Sequence, residues 1–139
     1  MAKVTFILGL SGSGKTHLAE ELLKNSEAML FDEGFHDNFT ENFETLIEYL
    51  NEGIDFIIIA MEYRTLHNQK VIQQMLEEAI PGITVEWYYL ENDVEKAKLN
   101  LARRKNKVDA EGHIEINSRI TKDYEIPEGA DVLPIVTDW

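Results

Sequence analysis

The chain has 139 residues, enough for one α/β domain with its own core, and 44% of them are hydrophobic, which excludes a disordered chain. Its 26 acidic residues against 13 basic ones give a formal net charge of −13, which repels polyanions and argues against nucleic acid as a partner. Cysteine is absent, so disulfides and thiolate metal sites are excluded; no apolar run reaches transmembrane length and no signal peptide precedes the first strand, so a cytoplasmic protein without a membrane partner is expected.

The first strand is expected over 3–9, around Val4-Thr5-Phe6-Ile7-Leu8. It runs into Gly9-Leu10-Ser11-Gly12-Ser13-Gly14-Lys15-Thr16, which spells the phosphate-binding loop G-x-x-x-x-G-K-[ST]. In such a loop the glycines let backbone N–H groups curl around a phosphate. The lysine, here Lys15, reaches the β and γ oxygens, and the hydroxyl of Thr16 ligates Mg²⁺. A helix over 15–25 then directs its positive end at the same anion. Gly9, Ser11, Gly12, Ser13, Gly14, Lys15 and Thr16 are therefore candidate nucleotide contacts, with His17 beside them on the helix.

Ala28-Met29-Leu30-Phe31 reads as the second strand, ending at Asp32-Glu33. Thr40 is placed to cap a second helix over 41–52, whose Phe43, Leu46, Ile47 and Leu50 face inward while its glutamates face solvent. The unbroken apolar run 55–60 suits a central parallel strand covered on both faces. A loop Met61-Glu62-Tyr63-Arg64-Thr65 leads to a third helix over 66–80, with Val71, Ile72, Met75, Leu76 and Ala79 expected inside. A fourth strand over 83–90, a fourth helix from Asp93 and the basic run Arg103-Arg104-Lys105-Asn106-Lys107 follow. A short helix over 114–124 precedes a last strand, Val132 to Val136, whose Pro134 argues for an edge position.

Strands alternating with helices imply a parallel sheet with right-handed crossovers and helices on both faces. Ligands bind such sheets beyond the carboxyl ends of the strands, where the phosphate loop, Asp32 and Glu62 all fall. Phosphoryl transfer needs the phosphates held, the developing charge neutralised and an acceptor aimed in line. Asp32 can hold or deprotonate an acceptor hydroxyl, ligate magnesium, or simply end a strand. Glu62, after the most apolar strand, stands where a carboxylate holds Mg²⁺ through water, although no Asp precedes it. Loops 33–40 and 62–68 would build an acceptor pocket, which makes Asp32, Glu33, His36, Glu62 and Arg64 candidate substrate contacts. Phe35 and Phe39 are available as its walls, although core packing is the commoner fate of Phe. Arg103 or Arg104 can swing onto the transferring phosphate from a lid spanning about 103–113. Asn106-Lys107-Val108-Asp109 spells a guanine-reading signature, but it lies in the wrong context and order to act as one.

Gly9 to Thr16, Asp32 one strand later and the run Leu101-Ala102-Arg103-Arg104-Lys105-Asn106 together resemble small P-loop kinases of the nucleoside/nucleotide-kinase-like fold. The polynucleotide-kinase and zeta-toxin-like branch is the most similar. The resemblance spans nearly the whole chain. It implies one domain over 1–139, a five-stranded sheet ordered 2-3-1-4-5, ATP and Mg²⁺ as cofactors, and γ-phosphate transfer to a hydroxyl or phosphate. By position it gives Lys15 and Thr16 to ATP·Mg, Asp32 to the acceptor, and Arg103 or Arg104 to the phosphates. The acidic surface fits a small-molecule acceptor, nucleoside- or nucleotide-like, better than a polynucleotide end. The competing reading is a degenerate P-loop module that binds nucleotide, or an ATPase, acting through a protein partner.

Overall fold

The computed structural model describes residues 2–32, 35, 37–103 and 107–138, with the backbone alone at 107–109. The five strands are β1 (Lys3–Leu8), β2 (Met29–Asp32), β3 (Phe56–Ile59), β4 (Thr84–Leu90) and β5 (Val132–Leu133). They form one sheet in the order β2-β3-β1-β4-β5, and every pairing is parallel. The helices are α1 (Lys15–Leu23), α2 (Phe39–Asn51), α3 (Leu66–Ala79), α4 (Val94–Ala102) and α5 (Lys107–Asp123), with a short 3₁₀ turn at Met61–Tyr63.

The central strands are buried on both sides, as an all-parallel sheet requires. Side chains alternate between the faces. Val4, Phe6 and Leu8 join Phe56 and Ile58 in one cluster, while Ile7 joins Ile57, Ile59 and Ala19 of α1 in the other. Phe6 is fully buried, stacked on Trp87 with centroids 4.3 Å apart and edge-on to Tyr63 at 5.2 Å. In this register Asp32 lies opposite Ile59, so the ends of β2 and β3 emerge side by side next to the loop that follows β1.

Several boundaries differ from the sequence expectation. Thr40 is not the cap of α2: the helix begins at Phe39, and the capping position falls on Asn38, at φ 98° with no side-chain cap bond. Of the α3 residues expected inside, Ile72 and Leu76 are buried, but Val71 and Ala79 are exposed and Met75 is half-buried. The apolar stripe of α3 is narrower than its composition suggests. β5 stops at Leu133 because Pro134 has no N–H to continue the ladder. The Glu91 carboxylate replaces the missing partner, accepting the Ile135 N–H at 2.8 Å. Its hydrogen bond from Lys96, reinforced by this N–H, holds Glu91 below the usual carboxylate range.

The largest difference is α5. A helix was expected only from about 114, yet it begins at Lys107, so residues 107–113 of the expected lid are helical. Gly112 and the charges around it weaken the local helix signal. The buried positions Ala110, Asn117, Ile120 and Tyr124 nevertheless make a stripe at helical spacing, and tertiary packing supplies what propensity does not.

Truncating Phe6 to alanine removes a ring enclosed on both sides. The Phe6→Ala variant is expected to lose about 3–5 kcal/mol of stability, read as a lower urea midpoint at unchanged slope.

Candidate functional site

The loop between β1 and α1 is shaped by glycines at two points. Gly12 has φ 84°, and a Cβ there would stand 2.7 Å from the Ala97 carbonyl oxygen of α4. Gly14 has φ 102° and occupies the capping position of α1, where no side chain caps the helix. The positive end of α1 therefore opens into a cavity of about 250 Å³, lined by Ser11, Gly12, Gly14, Lys15, Thr16, His17, Asp32 and His113. Lys15 is largely buried, and its Nζ donates to Met61 Sδ at 3.3 Å. Gly9 sits beneath the loop: a Cβ there would stand 2.5 Å from Ser13 Oγ. That hydroxyl is buried without a hydrogen-bond partner among the described residues.

Two buried asparagines hold the loop through hydrogen bonds to its backbone. Asn117 of α5 accepts the Ser11 N–H through Oδ1 at 2.9 Å and donates to the Ser11 carbonyl through Nδ2 at 2.8 Å. Asn100 of α4 donates to the carbonyls of Gly12 and Val136 at 2.9 and 2.8 Å. One turn before Asn117, His113 Nδ1 lies 2.9 Å from Ser11 Oγ. At the far end of α5 the Tyr124 hydroxyl donates to the Leu90 carbonyl at 2.6 Å, with the Leu8 carbonyl at 3.2 Å. Burial pushes this phenol's pKa up. Tyr89, donating to Gln69 Oε1 at 2.9 Å, is pushed up to about 12 for the same reason.

None of these four bracing residues figures among the sequence candidates. A signal exists for two of them. Asn100 and Asn117 occupy positions in the apolar stripes of their helices, beside Leu101 and Ile120, where an amide needs a specific partner.

The structure brings some of the expected residues together and separates others. Asp32, the exposed last residue of β2, shares the cavity with Lys15, Thr16 and His17. Glu62 does not: it lines a second cavity, of about 120 Å³, between α2 and α3. Arg64 is engaged elsewhere, donating to both carboxylate oxygens of Asp123 at 2.9 and 3.2 Å and to the Met61 carbonyl at 3.1 Å. Arg103 caps the C-terminus of α4, and the described lining of the phosphate-loop cavity does not include it. Phe35 is in the core, whereas Phe39 lines the second cavity. Glu33, His36 and Arg104 lie outside the described residues.

The donor set fits a polyphosphate: an uncapped helix N-terminus, an ammonium group and a hydroxyl face one space. Among the described residues no group of three or more His, Asp or Glu side chains could cage a metal ion. Mg²⁺ keeps most of its ligands as water and phosphate oxygens and takes few from protein. Thr16, with Asp32 across the cavity, could supply these.

The sequence matches no known protein family and no curated protein. Its fold is shared with a gluconokinase from Sinorhizobium meliloti 1021, which superposes with a TM-score of 0.56 over 95% of this chain and 81% of that one. Identity between the two is 15%, so the likeness is one of fold. No helix among the described residues is long and apolar enough to cross a membrane.

Two outcomes test the bracing. Asn117→Ala orphans the N–H and carbonyl of Ser11, at a cost of about 1–3 kcal/mol for each group that stays buried, measurable by urea denaturation. The Arg64 guanidinium holds the Asp123 carboxyl below its usual range. A lowered folded value means that the ion pair stabilises fully above the ordinary aspartate range and is lost as pH falls through the folded value. The urea-midpoint gap between wild type and Asp123→Asn should therefore be largest near neutral pH and close in acid.

Proposed function

We propose that the chain is an ATP-dependent phosphotransferase, a single P-loop kinase-like domain that moves the γ-phosphate of Mg·ATP to a hydroxyl of a small molecule. The observation that carries this reading is the shared cavity. Asp32 stands across it from Lys15, Thr16 and the uncapped end of α1. A nucleotide-binding loop can use a carboxylate there to help hold Mg²⁺. A transferase needs one to manage the acceptor's proton. The P-loop kinase fold of the gluconokinase neighbour agrees with this assignment, and that protein's name denotes a kinase acting on a small molecule.

The division of labour follows from the residues. The α1 end and the Lys15 ammonium hold the β- and γ-phosphates and stabilise charge that develops in the transition state. The Thr16 hydroxyl would hold Mg²⁺. Bound Mg·ATP supplies the activated phosphoryl group. Asp32 orients the acceptor hydroxyl and takes its proton. The acceptor oxygen forms its bond to the γ-phosphorus as the bond to the β–γ bridging oxygen breaks, and ADP leaves. The work asked of the protein is positioning and electrostatics rather than covalent chemistry. An arginine from 103–104 closing on the phosphates would complete the charge balance.

A second reading, a nucleotide-binding module working through a protein partner, has one observation in its favour. Glu62 does not share the cavity with Lys15, so Asp32 is the only carboxylate in its described lining. The two readings separate on Asp32. For the transferase, Lys15→Ala weakens Mg·ATP binding about 10–100-fold by calorimetry, the worth of a charge-assisted hydrogen bond. Asp32→Asn keeps that binding and lowers acceptor-dependent ADP release by about 10²–10⁴-fold. Residual hydrolysis that is unchanged in Asp32→Asn and indifferent to every acceptor would favour the module.

A further inference from the structure

The second cavity lies one turn of chain from the phosphate loop. Met61, whose sulfur accepts from Lys15 Nζ, directly precedes Glu62 in the 3₁₀ turn after β3. The cavity's walls are largely apolar: Phe39 from the start of α2, Tyr63 from the turn, and Val71 and Met75 from α3. Its polar groups are Asn68 and Glu62. The Asn68 side chain is directed at the Glu62 backbone, donating to that carbonyl at 2.7 Å. The Glu62 carboxylate is half-buried and has no hydrogen-bond partner among the described residues. Its charge acts locally, since it adds to the effect of burial in raising the pKa of the Tyr63 phenol.

The charge inventory of this pocket decides what can sit in it. Glu62 is the one charged side chain in its described lining. The nearest arginine in sequence, Arg64, is turned away, its guanidinium held on both carboxylate oxygens of Asp123 and on the Met61 carbonyl. A carboxylated or phosphorylated acceptor would meet a carboxylate with no cation beside it among the described lining residues, inside a protein of net charge −13. Juxtaposed like charges of this kind oppose binding. A hydroxyl or an ammonium group would instead give Glu62 the donor it lacks.

Resting on the phosphotransferase reading above, we infer that this pocket is the acceptor subsite, and that Glu62 selects a neutral or amine-bearing hydroxyl compound over a carboxylated or phosphorylated one. A nucleoside or an amino sugar has the required chemistry; a nucleotide or a sugar acid does not. Glu62 thus acts as a specificity residue rather than a magnesium ligand, with Asp32 left to the reacting hydroxyl.

The test uses the full chain with Mg·ATP and matched acceptor pairs: uridine with uridine monophosphate, glucose with gluconate, and glucosamine as the amine. ADP release should show kcat/KM at least about tenfold higher for a neutral or amine-bearing acceptor than for its anionic counterpart, the effect of a single uncompensated charge. Glu62→Gln should raise KM for the amine about tenfold or more, leave kcat within about twofold, and leave the Kd for Mg·ATP unchanged, which also reports that the variant is folded. Faster turnover of the anionic members, or an acceptor preference untouched by Glu62→Gln, overturns the assignment of Glu62 while leaving phosphoryl transfer standing. ATP binding with no turnover for any acceptor overturns the transferase reading and this inference with it.

Discussion

A buried amide gripping one residue of a loop underlies the candidate site. Asn117 takes both backbone polar groups of Ser11 while being 1% exposed. A loop that turns its N–H groups toward an anion cannot satisfy all of its backbone internally, and what is left over must be paired or pay a desolvation penalty. Asn117 and Asn100 do that pairing. They also tie α4 and α5, distant in sequence, to the first turn of the chain. Tyr124 extends the same function to the strands, fastening α5 to the ends of β1 and β4 where the phosphate loop departs. The phosphate loop is thus held in shape by packed, neutral side chains.

That separation of bracing from chemistry recurs in how charge is distributed. Arg64, which its sequence position made a candidate substrate contact, is committed to Asp123, and Glu91 is committed to Lys96 and the Ile135 N–H. By contrast, Asp32 is exposed in the phosphate-loop cavity and Glu62 is half-buried in the neighbouring one. Each cavity thus holds one carboxylate among its described lining. Their positions, after the ends of adjacent strands β2 and β3, are the basis on which the proposed phosphotransferase reading gives one to the reacting proton and the other to recognition of the acceptor.

Much of this was legible in the sequence, and the failures have identifiable causes. The phosphate loop was legible because its chemistry is local: eight consecutive residues carry the signature. The strand order was implied by the resemblance alone and the parallel sheet by alternation of strand and helix, and the sheet agrees with both. Asp32 reached the cavity because a parallel sheet brings the ends of its strands to one edge. The length of α5 was not legible, since Gly112 and flanking charges suppress the local signal and the stripe through Ala110, Asn117, Ile120 and Tyr124 shows only when packed. Glu62 and Arg64 illustrate a different limit. Sequence places both at the end of β3, but which way each side chain turns depends on Asp123 and on α2 and α3, residues tens of positions away. Asn117 was missed because an asparagine in a helix reads as solvent-facing until its partner is known.

The central claim is that one cavity holds both the phosphates and the carboxylate that serves the acceptor. A crystal structure with a non-hydrolysable ATP analogue and Mg²⁺ tests it most directly. The account predicts the β-phosphate within the loop 11–16, Lys15 Nζ about 3 Å from a phosphate oxygen, and the γ-phosphate turned toward Asp32. A nucleotide seated away from this loop, or a γ-phosphate directed away from Asp32, would contradict it.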